Sequence, residues 1–300
     1  MFPFDIGMYY LKEEIMISII IPLYNKQDYI RATLDSIFSQ SFQDFEVVVV
    51  NDGSTDNSLS VVNSYRDKRL RVFDKENGGV SRARNFGYKQ SNGDWVMFLD
   101  ADDTITPNCL SVLCQLMKDF PSSTLVCANY DIILDKHNVI KGCKLQNRGL
   151  LSKPFKELWD KKWNLRLGAY AMQRRVFDAV GGFCTFMKKG EDVYFNNEVI
   201  HNSTIAFSSD VVMSYNREGS CFSNVLIPLS EGDIYYQRLE DGEKYEKLVK
   251  AEIVWKGICL RILRCFSIAE MVLMLKKYKG HYCLIMESFV RRFCKTICPF

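Results

Sequence analysis

Three hundred residues, 47% hydrophobic and 25% charged, suit one large α/β domain or a catalytic domain with a smaller appendage, and exclude a disordered or fibrous chain. A net charge of +3 makes no case for nucleic acid as a partner, and no stretch reaches the eighteen apolar residues of a spanning helix. Eleven scattered cysteines with no C-x-x-C pair argue against a zinc site or a full disulfide framework and fit a reducing, cytoplasmic setting.

Residues 1–15 contain acids and no basic start followed by an apolar core, so they read as an N-terminal extension and not as a secretory signal. Residues 17–22, a β-branched run stopped by Pro22, predict a first buried strand. Tyr29, Ile30, Leu34, Ile37 and Phe38 then recur at helical spacing. A second strand over 45–50 ends in Asn51-Asp52-Gly53-Ser54-Thr55-Asp56, a turn with capping residues before the helical Leu59 and Val62. A third strand over 70–73, the loop Asn77-Gly78-Gly79 and a helix over 81–88 follow. The fourth strand, 94–99, runs directly into Asp100, Asp102 and Asp103. This alternation requires a mostly parallel sheet with right-handed crossovers. Beyond it the pattern predicts a strand over 123–129, a hairpin over 130–143, a strand over 168–173, helices over 174–180 and 191–200, and strands over 204–207 and 211–216. Residues 251–300 have helical apolar faces and nine Lys or Arg against three Glu.

The acids after the fourth strand admit two readings. Three carboxylates in four positions repel unless a cation sits among them, and an oxygen-rich cluster suits Mg²⁺ or Mn²⁺. The alternative is a solvated turn capping the next helix. Tyr24-Asn25, Asp52-Gly53 and Asn77-Gly78-Gly79 also lie at C-terminal strand ends, where open α/β sheets gather their ligands. Each taken alone is explained by turn chemistry. There is no G-x-G-x-x-G after the first strand and no Walker-type phosphate loop anywhere, so a bound nucleotide diphosphate would need a metal to neutralise it.

Four segments, residues 18–25, 50–56, 77–85 and 98–103, resemble family 2 glycosyltransferases with the GT-A fold. The match covers 16–120 in order and spacing, and Gly190-Glu191-Asp192 with 211–220 resembles the acceptor half of the same family. The resemblance implies an α/β architecture with a Rossmann-like, mostly parallel central sheet flanked by helices: a GT-A catalytic domain over 16–222, divided into a nucleotide-sugar half (16–120) and an acceptor half (121–222), with a helical C-terminal region over 223–300. It implies that Pro22, Tyr24 and Asn25 border the nucleoside and that Asp52 accepts the imide N–H of uracil, favouring a UDP-sugar donor. Asn77, Gly79 and Arg84 would line the base and ribose side, Asp100 would lie near the ribose, and Asp102 would hold Mn²⁺ or Mg²⁺.

A sugar hydroxyl must lose its proton as it attacks, which a positioned carboxylate can accept. Asp192, at the start of a helix, is the expected base, with Glu191 supporting the acceptor or orienting its neighbour. One base without a second nucleophile implies inversion. Arg217 is expected either to reach a donor phosphate or to be a solvated loop charge. The acceptor is expected to be a saccharide or lipid-linked saccharide. The basic tail either packs on the catalytic domain or meets an anionic membrane surface, making the protein peripheral on the membrane's inner face. Rival readings are a polyprenyl-phosphate sugar transferase, whose acceptor needs no strong base, and a nucleotide- or glycan-binding module without turnover.

Overall fold

The first buried strand, β1 (Ile17–Leu23), has no exposed residue and leads into α1 (Ile30–Phe38), whose Ile30, Thr33, Leu34 and Ile37 are buried. Strand and helix then alternate through β2 (Phe45–Asp52), α2 (Ser58–Asn63), β3 (Leu70–Lys75), α3 (Val80–Gln90) and β4 (Trp95–Phe98). Next come β5 (Thr104–Ile105), α4 (Cys109–Asp119), β6 (Leu125–Asp135), β7 (Asn138–Lys141), β8 (Gly149–Leu150) and α5 (Pro154–Trp159). The second half closes with β9 (Tyr170–Gln173), α6 (Arg174–Val180), α7 (Glu191–His201) and β10 (Ile205–Asn216). This computed structural model describes residues 15–135, 137–187, 190–216 and 246–251, the last a short helical stretch. The expectations for residues 1–14, for Arg217 and for most of the C-terminal region fall outside these residues.

One sheet runs β3-β2-β1-β4-β9-β6-β10-β5, with β7 pairing β6 and β8 pairing β10. The β3-β2-β1-β4 half is parallel throughout, as crossover helices require. The other half is mixed. There, β6 and β10 are parallel, but β9 lies antiparallel between β4 and β6, and β5, β7 and β8 also pair antiparallel. The expectation of a mostly parallel sheet therefore holds for the first half only, because short returns such as the 131–141 hairpin can only pair antiparallel. The two strands expected over 204–216 are a single one. Ser208, whose hydroxyl donates to Asp210 at 2.6 Å, marks register shifts that kink β10 without ending it. The short β5, β8 and α5 were not expected.

The parallel half positions the site. Ile17, Ile19, Ile20, Ile21 and Leu23 of β1 are fully buried, and each such side chain contributes about 1.5–3 kcal/mol. Helix α3 packs close on β1 and β2 because it has no side chain at Gly87: a Cβ there would lie 2.5 Å from Ile20 Cγ2 and 3.1 Å from Val50 Cγ2. Gly87→Ala should therefore destabilise the fold despite alanine's better helical propensity. Overpacking of this kind costs about 1–3 kcal/mol, and a lowered denaturation midpoint in urea checks it. An unchanged or raised midpoint would show that α3 can lift off the sheet without loss.

Candidate active site

Strands β1, β2 and β4 all end at one edge, and the loops that follow are tied to each other. The 24–27 loop is held against 54–58: Asn25 Oδ1 accepts from the Thr55 N–H at 2.8 Å, the Lys26 N–H donates to Ser58 Oγ at 2.7 Å, and the Gln27 N–H donates to Asp56 at 3.1 Å. Asn25 has φ +50°, a left-handed conformation asparagine tolerates better than most residues. Tyr24 is exposed at the rim, and Pro22 is buried within β1. The Asp52 carboxylate is buried and turned to the 75–79 loop, where it accepts from the Gly78 N–H at 3.0 Å, the Gly79 N–H at 2.8 Å and Lys75 Nζ. Asn77 and Gly79 are exposed, and Gly79 has φ +90°.

After β4 the three acids separate. Asp100 pairs with Arg84 (Nη2 to Oδ1, 2.7 Å), and Asp102 pairs with Lys26 (Nζ to Oδ2, 2.6 Å). Asp103 is buried, and its N–H closes a turn onto the Asp100 carbonyl at 3.1 Å. Burial opposes ionisation of Asp100, but the charge and hydrogen bond of Arg84, with Arg166 and Lys26 beyond, hold its carboxyl below the usual range.

Arg84 links the two halves of the domain. Its side chain is only 4% exposed, and its other terminal nitrogen, Nη1, donates to Glu191 Oε1 at 3.2 Å, in the first turn of α7. The guanidinium also lies over the Phe183 ring at 4.9 Å. Its neighbour Asn85 holds the same loop through two backbone bonds, Nδ2 to the Phe183 carbonyl and Oδ1 from the Phe183 N–H, both 2.8 Å. Burial would lower the Arg84 pKa, but the charges of Asp100, Glu191 and Asp192 more than reverse this. Thus the end of β4 and the start of α7 meet on one buried cation. Burial pushes the Glu191 carboxyl up; Arg84 pulls it back in part and Asp192 adds to the rise, leaving it above the ordinary range.

Asp192 is half-exposed, and its Oδ1 accepts from the Val193 N–H at 2.8 Å. It borders a cavity of about 380 Å³ along α7, also lined by Asn164, Arg166, Asn196 and Asn197. The buried amide nitrogen of Asn197 has no hydrogen-bond partner among the described residues. Trp95 and Trp159 are buried in the core, and Trp163, also buried, contributes to the cavity wall.

The structure therefore gathers Asn25, Asp52, Asn77, Gly79, Arg84, Asp100, Asp102, Glu191 and Asp192 around one edge of the sheet. Sequence reasoning missed Lys26, Lys75, Arg166 and Asn197. Lys26 directly follows the Tyr24-Asn25 pair, and its position beside a strand end was the one available signal.

Asp102 suits a divalent ion in part. Its carboxylate is 26% exposed at a strand end and already carries a cation. No group of three or more His, Cys, Asp or Glu that could hold an ion occurs among the described residues. Such a site fits Mg²⁺ or Mn²⁺ bound by a carboxylate with substrate phosphates completing the shell.

Comparison with known proteins shows the family and the fold. The family model described as glycosyl transferase family 2 matches residues 18–192. An uncharacterized glycosyltransferase of Rickettsia typhi is 30% identical over 241 residues, covering 80% of this chain and 74% of the relative. The poly(ribitol-phosphate) beta-N-acetylglucosaminyltransferase TarS of Staphylococcus aureus is 29% identical over 233 residues, covering 75% of this chain and 36% of TarS. A crystal structure of TarS 1–349 in complex with UDP-GlcNAc superposes with a TM-score of 0.67 at 23% identity, covering 91% of this chain and 79% of that one. The mannosyltransferase PcManGT from Pyrobaculum calidifontis, solved with GDP-Man and Mn²⁺, gives a TM-score of 0.56 at 17% identity, over 94% of this chain and 87% of that one. Against several other curated relatives the chain spans only 16% to 41% of their length. The fold is GT-A, and the chain belongs to glycosyl transferase family 2.

Proposed function

We propose that the protein is an inverting glycosyltransferase that moves a sugar from a UDP-sugar to a saccharide or lipid-linked saccharide, with Mn²⁺ or Mg²⁺ on Asp102 and Asp192 as general base. The observation that carries this reading is the Arg84 bridge, which fixes the acids at the end of β4 and the start of α7 on one buried group. The cavity beside Asp192 supports the acceptor half of the reading. Asn164, Asn196 and Asn197 contribute amides to its wall beside Asp192, alongside apolar side chains, polar groups of the kind that meet sugar hydroxyls.

In this reading Tyr24 and Asn25 border the nucleoside. An ionised carboxylate has about four acceptor positions. Asp52 uses three on Lys75, Gly78 and Gly79, which leaves one on Oδ2 for the imide N–H of uracil. Asp100 lies towards the ribose, and Asp192 takes the proton of the attacking hydroxyl. A bound divalent ion would supply Lewis-acid stabilisation of the leaving diphosphate. The known UDP-GlcNAc complex of TarS supports a uridine donor by fold likeness alone. The expected cytoplasmic setting and contact of the basic tail with an anionic membrane surface belong to the same proposal and rest on sequence. No described helix is long and apolar enough to cross a membrane.

The test is nucleotide release from a panel of UDP- and GDP-sugars, with and without EDTA. Release of UDP that EDTA abolishes is expected. A preference for a GDP-sugar would remove the uracil argument from Asp52, and turnover indifferent to EDTA would remove the metal from Asp102.

A further inference from the structure

Asp100 and Asp102 lie two positions apart, and each already carries its own cation. Arg84 is buried on Asp100 and is held in place by Glu191 and Phe183. Lys26 differs from it in every respect that matters for exchange. Its side chain is 31% exposed, it makes a single close contact with a carboxylate, and a lysine stem has four rotatable bonds. Its backbone, in contrast, is fixed, because the N–H groups of Asn25, Lys26 and Gln27 all donate to side chains of the 54–58 segment. Only the side chain is free to move, and its ammonium stays tethered near the end of β4 wherever it goes. Asp102 is also the carboxylate that the functional reading above gives to the metal. The carboxylate that would bind an ion is occupied at 2.6 Å by a protein cation.

We propose that Lys26 is the resident counter-ion of the metal site, holding Asp102 before the donor arrives, so that a divalent ion binds only by displacing it. The inference rests on the assignment of the metal to Asp102. Before loading, the Lys26–Asp102 pair is neutral, which relieves the repulsion between Asp102 and Asp100. On loading, the ion takes the carboxylate and Lys26 leaves with its proton. The freed ammonium remains beside the site, where an incoming diphosphate offers it acceptors. Ion alone must displace the lysine without that compensation, whereas ion and diphosphate together do not. The exchange therefore couples metal binding to donor binding and keeps the empty enzyme from trapping free metal.

The test is binding of Mn²⁺ alone, followed by the loss of the free-ion electron paramagnetic resonance signal on titration into the full chain, without nucleotide. Lys26→Gln removes the charge and keeps most of the stem, and Lys26→Arg keeps the charge. Lys26→Gln should bind Mn²⁺ up to about fivefold tighter, the upper end for breaking a partly exposed ion pair, while Lys26→Arg should bind as weakly as the native protein. Asp102→Asn, alone and combined with Lys26→Gln, should remove the gain. If Lys26→Gln binds no tighter than the native chain while Asp102→Asn still loses binding, the metal assignment stands and the counter-ion role is overturned. If Asp102→Asn leaves Mn²⁺ binding unchanged in both backgrounds, the metal assignment itself fails. Absence of detectable Mn²⁺ binding in native protein and Lys26→Gln alike would also overturn the counter-ion role, because removing the competitor would then have opened nothing.

Discussion

Asp192→Asn should lower kcat by about 10²–10⁴-fold, the usual contribution of a positioned general base, with little change in the KM for the donor. The substitution keeps the shape of the side chain, and Oδ1 can still accept from the Val193 N–H that it bonds at 2.8 Å. Helix α7 should keep its start, and what disappears is the ability to take a proton. Glu191 is the control. It lies one residue away but is turned onto Arg84 and is 14% exposed, whereas Asp192 borders the cavity. Glu191→Gln retains an oxygen for Arg84 and should cost far less in kcat than Asp192→Asn. Steady-state kinetics with the best donor of the nucleotide-release panel separates the cases. Full activity of Asp192→Asn would point to an acceptor that needs no base, such as a lipid phosphate. A large loss confined to Glu191→Gln would move the base by one residue.

The sequence made the donor side of this site legible because its chemistry sits at strand ends. An apolar run that stops in polar residues marks both the strand and its C-terminal edge. For β1, β2 and β4 those edges carry Tyr24-Asn25, Asp52-Gly53 and Asp100-Asp102. In a parallel half-sheet they are neighbours by topology alone. Which side chain would take which partner was not legible. Lys26 reaches Asp102 across 76 residues, Lys75 reaches Asp52 across 23, and Arg84 reaches Glu191 across 107. Each pairing depends on how loops close in space, and nothing in local spacing reports it. For Arg84 the family resemblance implies a place on the base and ribose side, and local spacing says nothing of its burial. Its burial comes from the later loop 182–183 folding over it. The same limit explains β10, where Ser208 and Asp210 look like a turn locally and the pairing with β6 continues past them.

Arg84→Met should be the most damaging single change to stability among the site residues. It leaves Asp100 and Glu191 facing each other across the space of a lost cation. Removing one partner of a buried ion pair costs about 3–5 kcal/mol. Glu191 is well covered, but Asp100 keeps 31% of its side-chain surface, which brings the expectation to roughly 2–4 kcal/mol. The pH dependence identifies the cause. In the native protein the Asp100 carboxyl sits below its ordinary range, so its contribution is present above that range and is lost as pH falls through the depressed value. The Glu191 carboxyl sits above its ordinary range, so its effect runs the other way: stability is greatest below the unfolded value and declines as pH rises through the raised one. Without Arg84 both carboxyls move up, and both can escape the unpaired charge by taking protons. The difference between native protein and Arg84→Met should therefore be widest near pH 8 and shrink as pH falls towards 4. Urea denaturation at several pH values reads it directly. A deficit independent of pH would mean that Arg84 acts through packing on Phe183 and not through the acids. Arg84→Lys supplies the complementary measurement. It keeps the charge but lacks the planar fork that meets Asp100 and Glu191 together, so it should recover part of the stability while still loosening α7 from the end of β4. If Arg84→Lys restores both stability and kcat, a single point charge suffices, and the two-pronged link between the donor acids and the base-bearing helix is not what positions Asp192.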